Sequence, residues 1–345
     1  MSSPSSPLIP PSPSAISPLA FREALKLYPS LVEKVYQSKL KNNAKKVADA
    51  LARDRWRFVE LPAAVAAAAA AARDSKHGND EKKKKNLKKQ NSPDVQDGAS
   101  GSSGLTKDDV ERLVQWKITH GHSRPFLPAM VRKNDESAIQ TQTSLAFAKL
   151  SSSATSSSTS TSASPSTATI TAALDLVCKL TGIGPATGTL ILNVFDPVHV
   201  PFFQDEMFLW FFPAASAKSD DKNRLKYSLK EYLTLLDAVG PVLERLNVTA
   251  RELEQVAYVL GHLELLDEAE REALLDAFDQ PGAASGEVSH ALQAAMKEED
   301  DHDAKATSAP GRMPRPAQKG RKRVAKNEDD GAETQAPKRR SQRKK

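Results

Sequence analysis

Cysteine is almost missing from this sequence of 345 residues, in which Cys178 is the single example. One cysteine cannot form an intramolecular disulfide, and it cannot supply the four thiolates that hold an all-cysteine iron–sulfur cluster. So low a cysteine content is typical of a protein from a reducing compartment. We expect Cys178 to be a small buried apolar residue, and we expect no cofactor.

Long apolar runs are also missing. No stretch approaches the roughly 20 apolar residues that a membrane-spanning helix needs, and the alanine run at residues 66–72 is short and only weakly apolar. The first residues show no charged and then apolar pattern of the secretory kind. The sequence therefore predicts neither a membrane segment nor a secretory signal.

Apolar periodicity is absent from several long stretches that are rich in Ser, Pro, Lys or Gly, so the chain cannot fold as one continuous globule. Helical spacing of apolar residues recurs in three pieces, which together predict one all-α domain with disordered arms. The alanine run extends the first piece as a helix, because alanine has the highest helix propensity, but it has nothing to bury. In chain order we predict a disordered Ser/Pro segment at 1–17, a helical piece at 18–61, an Ala/Lys/Gly-Ser linker at 62–104, a helical piece at 105–140, a Ser/Thr linker at 141–167, a helical core at 168–283 and a disordered basic tail at 284–345.

The segment from Leu180 to Leu192, LTGIGPATGTLIL, joins two helical patterns through a glycine-rich turn. Gly182 and Gly184 allow positive φ and a close approach to a ligand, and Pro185 suits the first turn of the next helix. Amides at the start of a helix donate readily to phosphate, so a nucleic-acid backbone is the expected ligand. An ordinary αα turn in a helical core is the alternative for a bare Gly-x-Gly.

The residues that follow the turn lengthen the pattern. An apolar, proline-containing stretch at 193–206, NVFDPVHVPFFQDE, ends in Asp205 and Glu206. With the turn, it resembles the helix-hairpin-helix superfamily of DNA glycosylases, in which a GxGxxTA hairpin is followed by an aspartate after such a stretch. The resemblance covers residues 168–283. The segment WKITHGHSRP at 116–125 makes the chain most similar to the Amun-type DNA-glycosylase group.

This resemblance implies DNA contacts at Gly182, Ile183, Gly184 and Thr187, and it implies that Asp205 is the catalytic aspartate. An ionised carboxylate there would stabilise positive charge on the sugar, or activate water, while a flipped base departs. Capping of the following helix is the alternative role for the aspartate.

Two positions depart from the family pattern. Bifunctional members carry a lysine just before the hairpin threonine, where this chain has Ala186, so the resemblance implies a monofunctional glycosylase. Met207 stands two positions after Asp205, where glycosylases usually carry histidine or one of a small set of residues. Lys179 precedes the turn and is a candidate DNA contact, although we do not expect it to reach the sugar.

The segment at 116–125 holds further candidates. Trp116 is in register with the apolar positions before it, which predicts a core residue. His120 and His122 have the spacing of metal ligands, but no cysteine cluster or third ligand accompanies them, so we expect no metal. Arg124 is a candidate DNA contact through a phosphate, or it holds a carboxylate of the fold.

Positive charge is scarce in the core and concentrated in the tail. Residues 168–283 contain nine Lys or Arg against eighteen Asp or Glu, so a groove for DNA must draw its cations from the more basic helical pieces earlier in the chain. Residues 311–345 contain thirteen Lys or Arg against four acids. Such clusters are typical of nuclear-import signals, the alternative being a merely solvated tail. The predicted import residues are Lys319, Arg321, Lys322, Arg323, Lys338, Arg339 and Arg340.

The sequence thus predicts a nuclear protein that binds duplex DNA through a helix-hairpin-helix glycosylase-like core, with monofunctional base excision at Asp205. The alternative is a non-catalytic nuclear scaffold or protein-interaction module that retains the glycosylase fold. The acidic final helices and the missing lysine favour this alternative. A positive groove with Asp205 at its floor would favour DNA, and an acidic or filled groove would favour the scaffold.

Overall fold

A computed structural model describes residues 9–83, 104–154, 164–215 and 225–279 of the chain. These ranges are helical and contain no β-strand, which confirms the predicted all-α class. They belong to one compact unit, Met1–Ala283. No helix in these ranges is both long and apolar enough to cross a bilayer. The predicted import residues between Lys319 and Arg340 lie outside the described residues.

Thirteen α-helices are present in the described ranges, and one π-helical segment, Trp56–Glu60, joins two of them. Their bounds are α1 Pro18–Lys26, α2 Tyr28–Lys39, α3 Ala44–Arg55, α4 Leu61–Lys83, α5 Lys107–His120, α6 Leu127–Val131, α7 Glu136–Ala154, α8 Thr167–Val177, α9 Pro185–Phe195, α10 Asp205–Phe211, α11 Leu229–Leu246, α12 Ala250–Leu260 and α13 Glu268–Asp279.

Local chemistry determines where several helices begin. Three of them start with a capping box, in which a Ser or Thr side chain accepts from the third helical amide and the acidic side chain there reaches back to the cap amide. The helical piece predicted from residue 105 begins with such a box, which Thr106 forms with Asp109 at the start of α5. The other two boxes are Ser228 with Glu231 and Thr249 with Glu252.

Helices α9 and α12 are the innermost elements. All but the first and last of the eleven residues of α9 are buried, and this helix contacts α4, α5, α7, α8 and α11. Gly188 allows α8 to approach, because a Cβ at this position would lie 2.5 Å from Leu174 Cδ1. Helix α12 packs against α1, α2, α10 and α11. The segment between α9 and α10 is therefore held by both inner helices, and it ends at Asp205.

The Ser/Pro segment predicted at 1–17 is ordered in its second half, contrary to expectation. Ile16 is fully buried, and the guanidinium of Arg245 donates to its carbonyl at 2.9 Å. Trp210 donates through Nε1 to the carbonyl of Pro11 at 2.8 Å. The carbonyl oxygens of a proline-rich backbone can accept hydrogen bonds from side chains. Arg245 and Trp210 therefore hold this segment against the core without regular secondary structure.

The two predicted linkers also begin later than composition indicated. Helix α4 continues to Lys83, and Val65 and Ala69 are buried, so the alanine run does have a face to bury. Helix α7 continues to Ala154 through residues predicted as linker, with Phe147 fully buried and stacked 4.7 Å from Phe195. This part of the chain is rich in serine and threonine, a composition that is typical of a flexible segment. The composition therefore did not indicate a helix here.

Candidate functional site

The turn between α8 and α9, residues 178–184, uses its two glycines differently. Gly182 has φ +82°, and a Cβ there would lie 2.9 Å from Met130 Cβ. Gly184 is the N-cap of α9, with an extended backbone of φ −100° and ψ −176°, and a Cβ there would meet nothing within 4 Å. The fold therefore requires glycine at 182, whereas position 184 faces open space and does not use positive φ.

Asn134 fastens this turn to the rest of the domain. Its buried side chain accepts from the Thr181 amide at 2.7 Å and donates to the Thr181 carbonyl at 2.9 Å. The same Nδ2 donates to the Val131 carbonyl at 2.8 Å. The position of the turn relative to α6 is therefore set by a side chain that nothing in the hairpin motif indicates.

A cavity of about 540 Å³ lies beside this turn and is called the larger cavity below. Its charged lining residues are Lys117 and Arg124, and no carboxylate lines it. The volume is within the roughly 300–1,000 Å³ of small-molecule sites. The complete lining consists of Lys117, Ser123, Arg124, Pro125, Phe126, Leu127, Met130, Gly182, Gly184, Pro185, Ala186, Thr187 and Tyr227.

Four of the six residues predicted to contact DNA line the larger cavity: Gly182, Gly184, Thr187 and Arg124. The other two do not. Ile183 is buried in the core at 4 % exposure, because its side chain completes the packing under the turn. Lys179 is exposed but lies outside the cavity lining, near the start of the turn.

A second, smaller cavity of about 20 Å³ adjoins the first and contains Asp205 and Glu206 in its lining. Lys117, Arg124 and Tyr227 line both cavities, so these three side chains form the wall between them. A volume of this size holds about one water molecule. A reactive water beside the carboxylate fits the smaller cavity, whereas a nucleobase fits only the larger one.

Asp205 is the first residue of α10, and its carboxylate is paired. Oδ2 lies 2.5 Å from Nδ1 of His122, whose side chain is 76 % exposed, while that of Asp205 is 16 % exposed. Gln204, and not Asp205, is the N-cap, and it makes no side-chain cap bond. Asp205 is therefore not the N-cap residue of α10, and the capping alternative is wrong on this point. Its carboxylate still lies in the first turn, where it interacts favourably with the helix dipole.

Three hydrogen bonds fix the chain that leads to Asp205. The Asn193 side chain donates to the Val200 carbonyl at 2.7 Å, and the Phe203 amide donates to the Thr189 hydroxyl at 3.1 Å. Gln204 donates through its side chain to a carbonyl of α12 at 2.7 Å. Both inner helices thus hold the backbone that presents the carboxylate.

The electrostatics of the shared wall are dominated by burial. Desolvation lowers the pKa of Lys117, and Asp205 and Glu206 oppose this by favouring its ammonium form. Burial raises the pKa of Glu206. The pKa of Tyr227 is raised by burial first and then by the Asp205 carboxylate, with Arg124 acting in the opposite direction. The Arg124 guanidinium lies 5.0 Å from the ring centre of this tyrosine.

The structure also shows the surroundings of Trp116, His120 and His122 in the 116–125 segment. Trp116 is a core residue, as predicted, at 1 % exposure, and it donates to Asp54 at 2.8 Å. His120 is buried between the rings of Trp116 and Tyr258, at 4.4 and 3.8 Å between centroids. The structure pairs His122 with a carboxylate, and the described residues contain no cluster of three side chains that could hold a metal.

Cys178 is half-buried and not fully buried as expected. Burial, with a smaller contribution from Asp175, raises the pKa of its thiol to about 11. Such a thiol is protonated near neutral pH and is a poor nucleophile. Its place beside Gly188 at the α8–α9 contact indicates a packing role.

Sequence reasoning missed three residues of the site. Lys117 directly follows Trp116, a core residue. Its position in the sequence could therefore have indicated a side chain at the edge of the core. Tyr227 has φ +58°, and no sequence signal marks it. Asn134 was missed because its three partners are backbone atoms, two of them in Thr181, which is distant in sequence.

No protein-family model, no curated protein and no solved structure matches this chain. An assignment of function therefore depends on the quoted motifs and on the geometry of the two cavities.

Proposed function

We propose that this protein binds duplex DNA through the α8–α9 turn and removes a base at Asp205 as a monofunctional DNA glycosylase. The observation that carries the proposal is the joint lining of the larger cavity by a glycine turn and by two cations, immediately beside the cavity of the aspartate. The glycosylase-like fold, the nuclear location and the DNA partner are parts of this proposal.

The larger cavity has the chemistry of a phosphate site. The start of α9 brings the positive end of its dipole to the cavity, and Gly184 leaves room for a close approach. Lys117 and Arg124 line the same cavity, and no carboxylate in its lining competes for them. The acidic composition of residues 168–283 is thus no obstacle, because both cations come from earlier in the chain.

The smaller cavity has the chemistry of a hydrolytic site. A base leaves a deoxyribose with its bonding electron pair, and the sugar becomes positively charged at C1′. Asp205 would stabilise that charge and accept a proton from the attacking water, whose oxygen then forms the new bond to C1′. In this proposal His122 holds the carboxylate by its hydrogen bond, and Lys117 and Arg124 neutralise phosphate groups of the bound DNA.

Two substitutions at one position test DNA binding without damage to the fold. Gly184→Asp and Gly184→Ser both introduce preferred N-cap residues, and the structure has open space for either side chain. We expect Gly184→Asp to weaken the binding of a fluorescent duplex at least about tenfold, because its carboxylate meets the phosphate. Gly184→Ser should change the affinity less than about threefold. Equal affinities for both variants would exclude the turn as a DNA contact.

Base excision is tested with a panel of duplexes that carry deaminated, alkylated or oxidised bases. Product is detected as alkali-labile abasic sites. Asp205→Asn keeps the size of the side chain and removes its charge, so excision should fall at least about 100-fold. Because the duplex affinity of this variant is measured in parallel, loss of binding and loss of chemistry are separated.

The alternative function is a non-catalytic scaffold, and one observation favours it. Asp205 is already engaged by His122 and lies close to Tyr227, in a cavity too small for a nucleotide. In a scaffold these contacts would be purely structural. No duplex binding that depends on Gly184, combined with no excision across the panel and a loss of thermal stability in Asp205→Asn, would support that function.

A further inference from the structure

His120 lines the smaller cavity together with Asp205, and its side chain is buried. The rings of Trp116 and Tyr258 cover its two faces, and its Nδ1 lies 3.0 Å from the Tyr36 hydroxyl. The edge that carries Nε2 is therefore the part of the ring left to face the cavity. Nε2 is buried and has no hydrogen-bond partner among the described residues. A buried polar atom of this kind normally bonds to an ordered water molecule.

The neighbours of His120 determine which of its nitrogen atoms carries hydrogen. The Tyr36 hydroxyl has one hydrogen, which it donates to Asp54 Oδ1 at 3.3 Å. The hydroxyl oxygen then accepts from Nδ1 of His120, and Asp54 Oδ1, at 3.7 Å from Nδ1, also favours a hydrogen on that nitrogen. Burial lowers the pKa of His120 well below the usual value for histidine, so the ring is neutral. Nε2 therefore carries a lone pair and accepts hydrogen bonds.

We propose that His120 Nε2 accepts one hydrogen of the attacking water while the Asp205 carboxylate accepts the other. This inference rests on the proposed function. Both residues line the smaller cavity, which holds about one water molecule. A water that donates both hydrogens to two fixed acceptors has a lone pair of its oxygen free to attack C1′.

The two acceptors have different parts in the reaction. The bond between C1′ and the base breaks, and its electron pair leaves with the base. The water oxygen forms the new bond to C1′, and the proton on the Asp205 side passes to that carboxylate. The other hydrogen stays on the oxygen as the hydroxyl of the abasic sugar. His120 thus orients the reacting water and takes no proton from it, and Tyr36 is a positioning residue that fixes the ring.

Excision by the full chain is measured under single-turnover conditions, with the duplex of the panel that the wild type processes fastest. His120→Phe keeps a ring between Trp116 and Tyr258 and removes the acceptor, whereas the amide oxygen of His120→Gln supplies an acceptor again. We expect the rate to fall at least about tenfold in His120→Phe with unchanged duplex affinity, and His120→Gln to be at least about threefold faster than His120→Phe. His262→Phe is the matched control, since His262 also packs on Tyr258, with 4.4 Å between ring centres, but lies outside both cavity linings.

A second measurement does not depend on activity. In the full chain labelled with ¹⁵N at histidine, the His120 signals are those that either substitution of this residue removes, and their chemical shifts report which nitrogen carries hydrogen. We expect hydrogen on Nδ1 and none on Nε2 in the wild type. Tyr36→Phe removes the acceptor for Nδ1 and should increase the share of the tautomer with hydrogen on Nε2.

The outcomes separate this inference from the proposed function. If the wild type excises a base and His120→Phe is no slower than His262→Phe, the role of His120 is wrong and the proposed function stands. Hydrogen on Nε2 in the wild type would also overturn the inference, whatever the rates of excision. If the wild type excises no base from any duplex of the panel, the proposed excision is wrong and the role of His120 falls with it.

Discussion

Single residues of the larger cavity determine which product base excision would leave. A bifunctional glycosylase needs an uncharged amine at C1′, and the hairpin position that would carry it is Ala186. Lys179 is exposed and lies outside the cavity lining. Lys117 does line both cavities, and burial lowers the pKa of its amine, but it belongs to α5 and not to the hairpin position that carries the lysine in bifunctional glycosylases. An intact abasic site is therefore the expected product.

Borohydride trapping checks this expectation. We predict that sodium borohydride yields no covalent adduct between the protein and a duplex that contains an abasic site. Lys117→Gln and Lys179→Ala serve as the informative variants. A trapped adduct that disappears in Lys117→Gln and persists in Lys179→Ala would contradict the prediction and identify Lys117 as the nucleophile.

At the scale of helices, the α8–α9 turn depends on one side chain from the segment between α6 and α7. Asn134→Ala removes both hydrogen bonds to Thr181 and leaves polar groups of the backbone unpaired in a partly buried place. We expect the free energy of unfolding to fall by about 3 kcal/mol, measured by urea denaturation. Asn134→Asp keeps the acceptor for the Thr181 amide and should lose less. Exposed Lys133→Ala is the neighbouring control, and a loss for Asn134→Ala no larger than for Lys133→Ala would show that the turn is held otherwise.

The inner helices share a buried ion pair. Arg57, at 1 % exposure, donates to Asn193 on α9 at 2.7 Å and to Glu254 on α12 at 2.8 Å. Burial raises the pKa of Glu254 to about 7, because desolvation outweighs the attraction of Arg57. Removing one partner of such a pair leaves the other charge buried without a counter-charge, which lowers the free energy of unfolding by several kcal/mol.

This raised pKa predicts how stability depends on pH. A carboxyl group that binds its proton more tightly in the folded state stabilises the fold at low pH, and this contribution is lost as pH rises from about 4.5 to about 7. A pKa difference of this size corresponds to about 3 kcal/mol. We therefore expect the free energy of unfolding of the wild type, relative to Glu254→Gln, to decrease by about 3 kcal/mol over that range. Exposed Glu264→Gln is the control, and a constant difference between wild type and Glu254→Gln would contradict the prediction.

Over the whole molecule, sequence patterns located elements better than they located contacts. Apolar spacing and the Leu180–Leu192 motif predicted the all-α class and the glycine turn, since both are encoded in adjacent residues. Composition misplaced the ends of α4 and α7, because alanine, serine and threonine can form a helix as readily as a linker when tertiary contacts supply a buried face. The wall between the cavities joins Lys117 and Arg124, from the 116–125 segment, to Tyr227, which is far from them in the chain. Only the packed fold brings them together.

The proposed nuclear location is a property of the whole molecule that depends on the tail. Residues 319–345 carry the two basic clusters, and a dense run of Lys and Arg is the charge pattern that import receptors recognise. We predict that deletion of residues 319–345 moves a fusion with a reporter too large for passive diffusion from the nucleus into the cytoplasm. Replacement of Lys338, Arg339 and Arg340 by Gln should give a partial effect, because the cluster from Lys319 to Arg323 remains. Nuclear accumulation of the deletion at the level of the full chain would place the import signal elsewhere, with the lysine run at 82–89 as the next segment to replace.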